Sequence, residues 1–223
     1  MFPGVFAKKS AKWQAKLHQQ VQFPAHPIIL HGPNVVEPRD VAFYGPAKIA
    51  PMQYAGLTHA PQQFTSIMIV IQRQLERFCQ LQTSLIGPVY PLPALLINFY
   101  RNGKDSMGLH SDKEVALGSC PFLVSLSLGA KCQFIFKHKT LPTKHSLILQ
   151  DGTVLIMTGA AIQQNWKHGI FKEPTLTESR WNLSFRNYLT KAQVQQKLKY
   201  NNNNNNKKKQ IKQLQKAFTK FKC

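Results

Sequence analysis

His110-Ser111-Asp112 sets an imidazole and a carboxylate two residues apart. In an extended segment, residues at that spacing point to the same side, so both side chains can face one ion. His168, within Trp166-Lys167-His168, supplies a third ligand of the right type. Two histidines and one carboxylate on one face of a metal leave the opposite coordination positions open. That suits non-haem Fe(II), which must accept a co-substrate and oxygen together. Zinc with a bound water satisfies the same three side chains, so the ligand set alone leaves the metal open.

A second pattern lies in Arg180–Tyr188. Arg180, Asn182, Ser184 and Arg186 alternate with Trp181, Leu183 and Phe185, so a strand here has one polar face and one apolar face. Two guanidinium groups directed into a barrel require an anion, because unpaired buried charge is costly. The arginine fork matches the two oxygens of a carboxylate. In Leu95–Tyr100, Asn98 and Tyr100 share one face while Leu95, Ile97 and Phe99 share the other. The two strands together make a pocket for a small dicarboxylate, with Arg180 and Arg186 at its ends. The alternative pairs Arg186 with Asp112 and Arg180 with a surface glutamate.

Short apolar runs bounded by turn residues must position these groups. Leu95–Tyr100, Phe122–Leu128, Cys132–Phe136, Ser146–Leu149, Thr153–Met157 and Arg180–Tyr188 read as strands, and Gln150-Asp151-Gly152 as a hairpin turn between two of them. Upstream, Trp13, Leu17 and Val21 suggest an amphipathic helix behind a Ser10 cap. Ile67, Ile71, Leu75 and Phe78 make a longer stripe behind Thr65. Between the helices lies a Pro- and Gly-rich loop region in which Phe43, Tyr44 and Tyr54 are expected to be exposed. Helices followed by six short strands predict a double-sheet barrel or jelly roll with helices on one face.

The 223 residues allow one or two domains, and a 43% hydrophobic composition excludes wholesale disorder. The net charge of +20 favours polyanionic partners. Half of that charge comes from ten lysines after Asn187, a stretch with no acidic residue. Six asparagines, Asn201–Asn206, open a low-complexity tract. Beyond them Ile211, Leu214, Phe218 and Phe221 recur at helical spacing among lysines. We therefore read residues 1–189 as the folded unit and 190–223 as a basic tail, either solvated or a tether for nucleic acid, membrane or a partner helix. No run is long and apolar enough for a membrane span or a secretory signal. Cys79, Cys120, Cys132 and Cys223 form no CxxC pair, which argues against a zinc ribbon or disulfide framework. An intracellular protein of nucleus or cytoplasm is expected. It is expected to be a monomer.

The motifs occur together in a familiar order. Asn98-Phe99-Tyr100-Arg101-Asn102-Gly103-Lys104-Asp105-Ser106, His110-Ser111-Asp112, His168 and Arg180-Trp181-Asn182-Leu183-Ser184-Phe185-Arg186 resemble the AlkB family of Fe(II)- and 2-oxoglutarate-dependent nucleic-acid dioxygenases. Pro38-Arg39, Phe43-Tyr44-Gly45 and Tyr54-Ala55-Gly56-Leu57-Thr58 are similar to the family's nucleotide-recognition region. The resemblance covers about residues 3–188 and implies an α+β fold, a double-stranded β-helix (jelly roll), with a recognition region near 38–60 and a catalytic core near 93–188. It implies His110, Asp112 and His168 as Fe(II) ligands. Asn98, Tyr100, Arg180, Asn182 and Arg186 would bind 2-oxoglutarate, with Arg180 on the distal carboxylate. Arg39, Tyr44, Tyr54 and Glu114 become substrate-binding candidates, Tyr54 as an aromatic face for a flipped base. Trp181 is large for its place in the motif, and Lys113 replaces a common acidic residue.

The implied reaction is oxidative demethylation of 1-methyladenine or 3-methylcytosine in DNA or RNA. O2 and 2-oxoglutarate are consumed, and succinate, CO2 and formaldehyde are released. Single-stranded or unpaired sites are favoured because the base must leave its stack. The alternatives are a 2-oxoglutarate oxygenase acting on protein or lipid, and a non-catalytic nucleic-acid-binding module.

Overall fold

A computed structural model describes residues 1–24, 38–54, 57–112 and 114–202, without the side chains of Tyr54 and Leu57. Two helices precede most of the strands. Helix α1 (Ala7–Gln20) buries Ser10, Trp13 and Leu17. Helix α2 (Ser66–Leu81) buries Ile67, Met68, Ile71, Leu75 and Cys79, in keeping with the expected stripe, and starts after Thr65. A short α3 (Thr83–Ile86) follows.

Strands β1 (Asp40–Tyr44), β4 (Ala94–Tyr100), β11 (Arg180–Arg186), β6 (Phe122–Gly129) and β9 (Thr153–Thr158) form a five-stranded sheet in that spatial order. A four-stranded sheet orders β5 (Met107–His110), β10 (Trp166–Ile170), β7 (Cys132–His138) and β8 (Lys144–Leu149). A small ribbon, β2 (Met52–Tyr54) with β3 (Leu57–His59), stands apart, and α4 (Ala160–Asn165) leads into β10. This is the expected two-sheet jelly roll, with helices on the outer face of the larger sheet.

That sheet is covered on both faces, and its alternating side chains divide between two cores. Leu95, Ile97, Val124, Leu126, Trp181, Leu183 and Phe185 pack with Trp13, Leu17, Ile71 and Leu75 of the helices. Leu96, Tyr100, Leu123, Leu155 and Met157 turn inward to meet Phe134, Leu149 and Ile170. The four-stranded sheet turns much of its outer face to water, and β8 is accordingly mostly exposed.

Several local expectations need correction. The stretch containing Phe43 and Tyr44 is a strand rather than a loop; β1 runs antiparallel to β4, with Asp40 opposite Phe99 and Tyr44 opposite Leu95. Ser10 is no cap: α1 begins at Ala7, and the buried Ser10 hydroxyl donates to Asp151. Gln150-Asp151-Gly152 is no hairpin, because β8 pairs with β7 and β9 with β6, so the turn carries the chain from one sheet to the other. Non-local pairing has overridden a local turn signal.

The stretch assigned to the tail begins with a helix. Residues 191–202 are helical and form α5. The Thr190 hydroxyl accepts the Gln193 N–H at 3.3 Å, and the Gln193 side-chain oxygen accepts the Thr190 N–H at 2.9 Å. This reciprocal pair is a capping box. The residues from 203 onward lie outside the described part of the chain.

At the sheet-crossing turn, Gly152 has φ 70° and its carbonyl accepts the Phe6 N–H at 3.1 Å. A Cβ there would overlap the backbone of Phe6 and Ala7. Gly152→Ala should therefore lower stability by about 2 kcal/mol or more, combining a left-handed conformation with a backbone clash. A urea midpoint equal to that of the parent would overturn this assignment.

Candidate metal and co-substrate site

The smaller sheet brings two histidines face to face. In the antiparallel pair of β5 and β10, His110 lies directly opposite His168. Their ring centroids are 4.3 Å apart. Asp112 follows just beyond β5, its backbone N–H donating to the Gln163 side-chain oxygen at 3.0 Å. The Ser111 hydroxyl donates to the Trp166 carbonyl at 2.6 Å. The loop carrying Asp112 is thus tied at both residues to α4 and the start of β10.

His110 Nε2 lies 3.5 Å from Asp112 Oδ1, and His168 Nε2 lies 3.8 Å from Asp112 Oδ2. All three ligand atoms fall within 4.8 Å of one another. His110 Nδ1 sits 3.0 Å from the Gly108 carbonyl, so it carries the proton there and leaves Nε2 bare for a metal. His168 is buried and its ring stacks on Phe134. Burial, opposed by the nearby Asp112 charge, brings its pKa down to about 4, so it is neutral near pH 7 and ready to ligate. Burial alone would raise the Asp112 pKa. The Arg186 guanidinium and the two neighbouring histidines together outweigh it and hold the carboxyl well below the usual range. One carboxylate and two imidazoles make a donor set that fits a divalent metal.

The inner face of the larger sheet supplies the second half of the site. Arg180, Asn182 and Arg186 of β11 pair in register with Tyr100, Asn98 and Ala94 of β4. The Asn98 amide donates to Asn182 Oδ1 at 3.4 Å, and Asn182 donates in turn to the Ser125 hydroxyl at 2.6 Å. Arg180 is 3% exposed, and its guanidinium carbon lies 4.1 Å from the centroid of the Tyr100 ring. Its Nη1 and Nη2 are buried without a hydrogen-bond partner. Among the described residues no carboxylate forms an ion pair with it. A buried guanidinium with two idle nitrogens is fitted to an incoming carboxylate.

Arg186 behaves differently. Its Nη2 lies 3.6 Å from Asp112 Oδ1, and its Nη1 donates to Glu114 Oε1 at 3.1 Å. The alternative pairing of Arg186 with Asp112 is therefore present, and it joins the metal motif to the arginine strand.

Two cavities meet at this junction. The inner one lies between the sheets and is lined by Asn98, Tyr100, Ser125, His168, Asn182 and Arg186 among others. The outer one, of about 650 Å³, opens beyond His110 and Asp112, which line both. Its walls include Arg39, Met52, Glu114, Tyr188, Val194 and Leu198. Glu114 Oε2 and the Tyr188 hydroxyl are buried there with no partner. Burial, followed by the Glu114 charge, raises the Tyr188 pKa, so its hydroxyl remains a donor.

Among the substrate candidates, Arg39 lines the outer cavity and donates from Nε to Asn98 Oδ1 at 2.8 Å, linking the two cavities. Tyr44 does not reach the site. It is 2% exposed in the helix-facing core, and its hydroxyl donates to the Gln22 carbonyl at 3.3 Å. Alternation along β1 sends Val41 and Phe43 inward and Tyr44 outward. Tyr54 ends β2, opposite Leu57, and its side chain is outside the described residues. Lys113 also lies outside them. Trp181 turns away from the site and packs against Phe99, so its bulk is taken up by the scaffold.

Sequence reasoning missed Ser125, Gln163, Tyr188, Val194 and Leu198. Gln163 carries no local signal, since its role depends on where α4 docks. The last two were accessible, because Thr190-x-x-Gln193 is a capping-box pattern and Val194 and Leu198 are four apart.

Arg180→Gln should weaken 2-oxoglutarate binding at least tenfold without lowering the stability of the unliganded protein, since it removes a buried cation lacking an anion. Thermal midpoints of the Mn(II)-loaded protein with and without the dicarboxylate would check this. An undiminished ligand-induced rise would make Arg180 purely structural.

Residues 1–186 match the 2OG-Fe(II) oxygenase superfamily. The chain is 32% identical over 197 residues to the alpha-ketoglutarate-dependent dioxygenase alkB homolog 3 of Rattus norvegicus and that of Homo sapiens. Those alignments cover 83% of this chain and 62% and 64% of the relatives. It is 31% identical over 162 residues to the DNA oxidative demethylase ALKBH2 of Bos taurus, covering 68% of this chain and 54% of that one. The chain thus spans about three-fifths of the length of the alkB homolog 3 relatives it matches. The structure of OsALKBH1 superimposes with a TM-score of 0.54 at 19% identity, covering 80% of this chain and 90% of that one, a likeness of fold. Family membership implies Fe(II), 2-oxoglutarate and O2, and His110, Asp112 and His168 form a candidate site for the metal. The chain belongs to the 2OG-Fe(II) oxygenase superfamily, within its AlkB branch.

Proposed function

We propose that this protein oxidatively demethylates N-methylated bases, 1-methyladenine and 3-methylcytosine, in DNA or RNA, with a preference for single-stranded or unpaired sites. The observation that carries the reading is the junction of the two cavities. The buried Arg180 stacks over Tyr100, which lines the inner cavity, and an outer cavity with its own idle polar groups lies across the same His110 and Asp112. Fe(II) bound there would supply the coordination positions at which O2 and 2-oxoglutarate are used together.

The chain's own residues then divide the work. Arg180 holds the distal carboxylate of 2-oxoglutarate, and Asn182 and Arg186 attend the end nearer the metal. The Arg186–Asp112–Glu114 cluster keeps Asp112 ionised for ligation. At about 650 Å³ the outer cavity falls within the size range of small-ligand pockets, roughly 300–1,000 Å³, and has room for a flipped base. Glu114 Oε2 is an acceptor for an exocyclic amine, and Tyr54 remains the candidate for stacking. The names of the relatives, a dioxygenase and a DNA oxidative demethylase, support the same chemistry. The high positive charge suits a phosphodiester substrate. Among the described residues no helix is long and apolar enough to cross a membrane.

The test is mass spectrometry of short single-stranded DNA and RNA oligomers carrying 1-methyladenine, incubated with the protein, Fe(II), 2-oxoglutarate and ascorbate. Loss of the methyl mass that depends on 2-oxoglutarate is expected, and the faster oligomer names the substrate class. Succinate formed without methyl loss from either would direct attention to a protein or lipid substrate; absence of succinate as well would favour a binding module. Asp112→Ala should abolish turnover while sparing oligomer binding, since Arg186 retains Glu114 as a partner. Unchanged turnover would remove Asp112 from the metal site.

A further inference from the structure

The outer cavity has one wall that the motifs of the sequence do not supply. Val194 and Leu198 of α5 line it together with His110, Asp112 and Glu114. The helix is built into the fold rather than trailing from it. Ala50 N–H donates to the Leu189 carbonyl at 3.0 Å, Leu189 N–H to Ala116 at 2.7 Å, and Lys191 N–H to Lys48 at 2.9 Å. Thr190 also forms a β-bridge with Ile49. Val194 packs against the inner core, whereas Leu198 is 45% exposed, an apolar side chain at the cavity with one side left open.

The charges on α5 are arranged around that apolar ridge. With about 100° per residue, Lys191 falls roughly 40° to one side of the Val194–Leu198 direction and Lys197 roughly 80° to the other. Lys48, bonded through its backbone to Lys191, adds a third cation at the helix start. Between residues 191 and 202 there is no acidic side chain. An apolar ridge flanked by cations, set across a cavity from a metal site, matches a polymer that alternates flat apolar rings with phosphates. Base–apolar contact is tolerant of sequence, and lysine–phosphate contact holds the backbone.

We propose that α5 is the strand-holding wall of the substrate cavity: Val194 and Leu198 take the face of a base or sugar, and Lys191 and Lys197 take the phosphates on either side of it. The partner is a single-stranded nucleic acid, and the inference rests on the demethylase reading above.

The experiment uses the full chain and fluorescence anisotropy of a labelled single-stranded oligomer carrying 1-methyladenine, over a salt series, with methyl loss followed in parallel. Leu198→Asp should weaken oligomer binding at least tenfold. Leu198 is half exposed, so the thermal midpoint should stay within a few degrees of the parent, and circular dichroism should be unchanged. The double variant Lys191→Gln/Lys197→Gln should flatten the log–log salt slope by about 1.4, the value for two phosphate contacts on a single strand. Leu85→Asp, at a still more open position on α3, should leave affinity as it was. Equal affinity and salt slope across the α5 variants would overturn the proposal, as would an intact protein that binds no oligomer. Displacement of the oligomer by polyglutamate at the same concentration of charge would also overturn the nucleic-acid assignment. An oligomer held through α5 and never demethylated would uphold the wall while removing the reaction assigned to the site.

Discussion

Two guanidinium groups lie buried on the inner face of β11, and most of the site follows from how their charge is balanced. Arg186 is neutralised within the protein by Asp112 and Glu114. Arg180 is left with two idle nitrogens over the Tyr100 ring. Removing one partner of a buried ion pair costs about 3–5 kcal/mol, so such a cation calls for an anion. The same strand thus does two jobs at its two ends. It holds Asp112 ionised beside the histidines, and at its other end it buries a guanidinium with two idle nitrogens.

That division is possible because the larger sheet is covered on both sides. Trp181, Leu183 and Phe185 give β11 its hold on the helices, which frees Arg180, Asn182 and Arg186 to face inward. The polar row is therefore anchored by an apolar one with the same period. The smaller sheet contributes position rather than charge. Antiparallel pairing of β5 with β10 sets His110 opposite His168 although 58 positions of sequence separate them. Asp112 enters from the loop that Gln163 and Trp166 tie down.

The capping box at Thr190 opens a helix within the stretch assigned to the tail. Composition marks the stretch after Leu189 as a lysine- and asparagine-rich tail, and from Asn201 the sequence is indeed of low complexity. Yet one reciprocal pair of hydrogen bonds, contributing about 1 kcal/mol by the usual worth of a cap, starts a helix that completes a wall of the outer cavity. A boundary drawn on composition passes through a structural element.

The pattern of residues was enough to read the chemistry of the site and the faces of its main strands. Alternation in Arg180–Arg186 and Leu95–Tyr100 is a local property of the chain, and strand geometry converts it directly into sidedness. The amphipathic stripes of α1 and α2 are local in the same way. What depended on the folded chain was everything set by partners distant in sequence. Gln150-Asp151-Gly152 has hairpin residues but changes sheets, because β8 and β9 each find a better-matched neighbour elsewhere. Tyr44 belongs to the scaffold and Arg39 to the site, five residues apart, because β1 docks edgewise on β4 and so decides which of its faces meets the helices. The two idle nitrogens of Arg180 and the place of Leu198 at the cavity belong to this second kind, since burial and vacancy are properties of the neighbours that folding supplies and no local spacing encodes them.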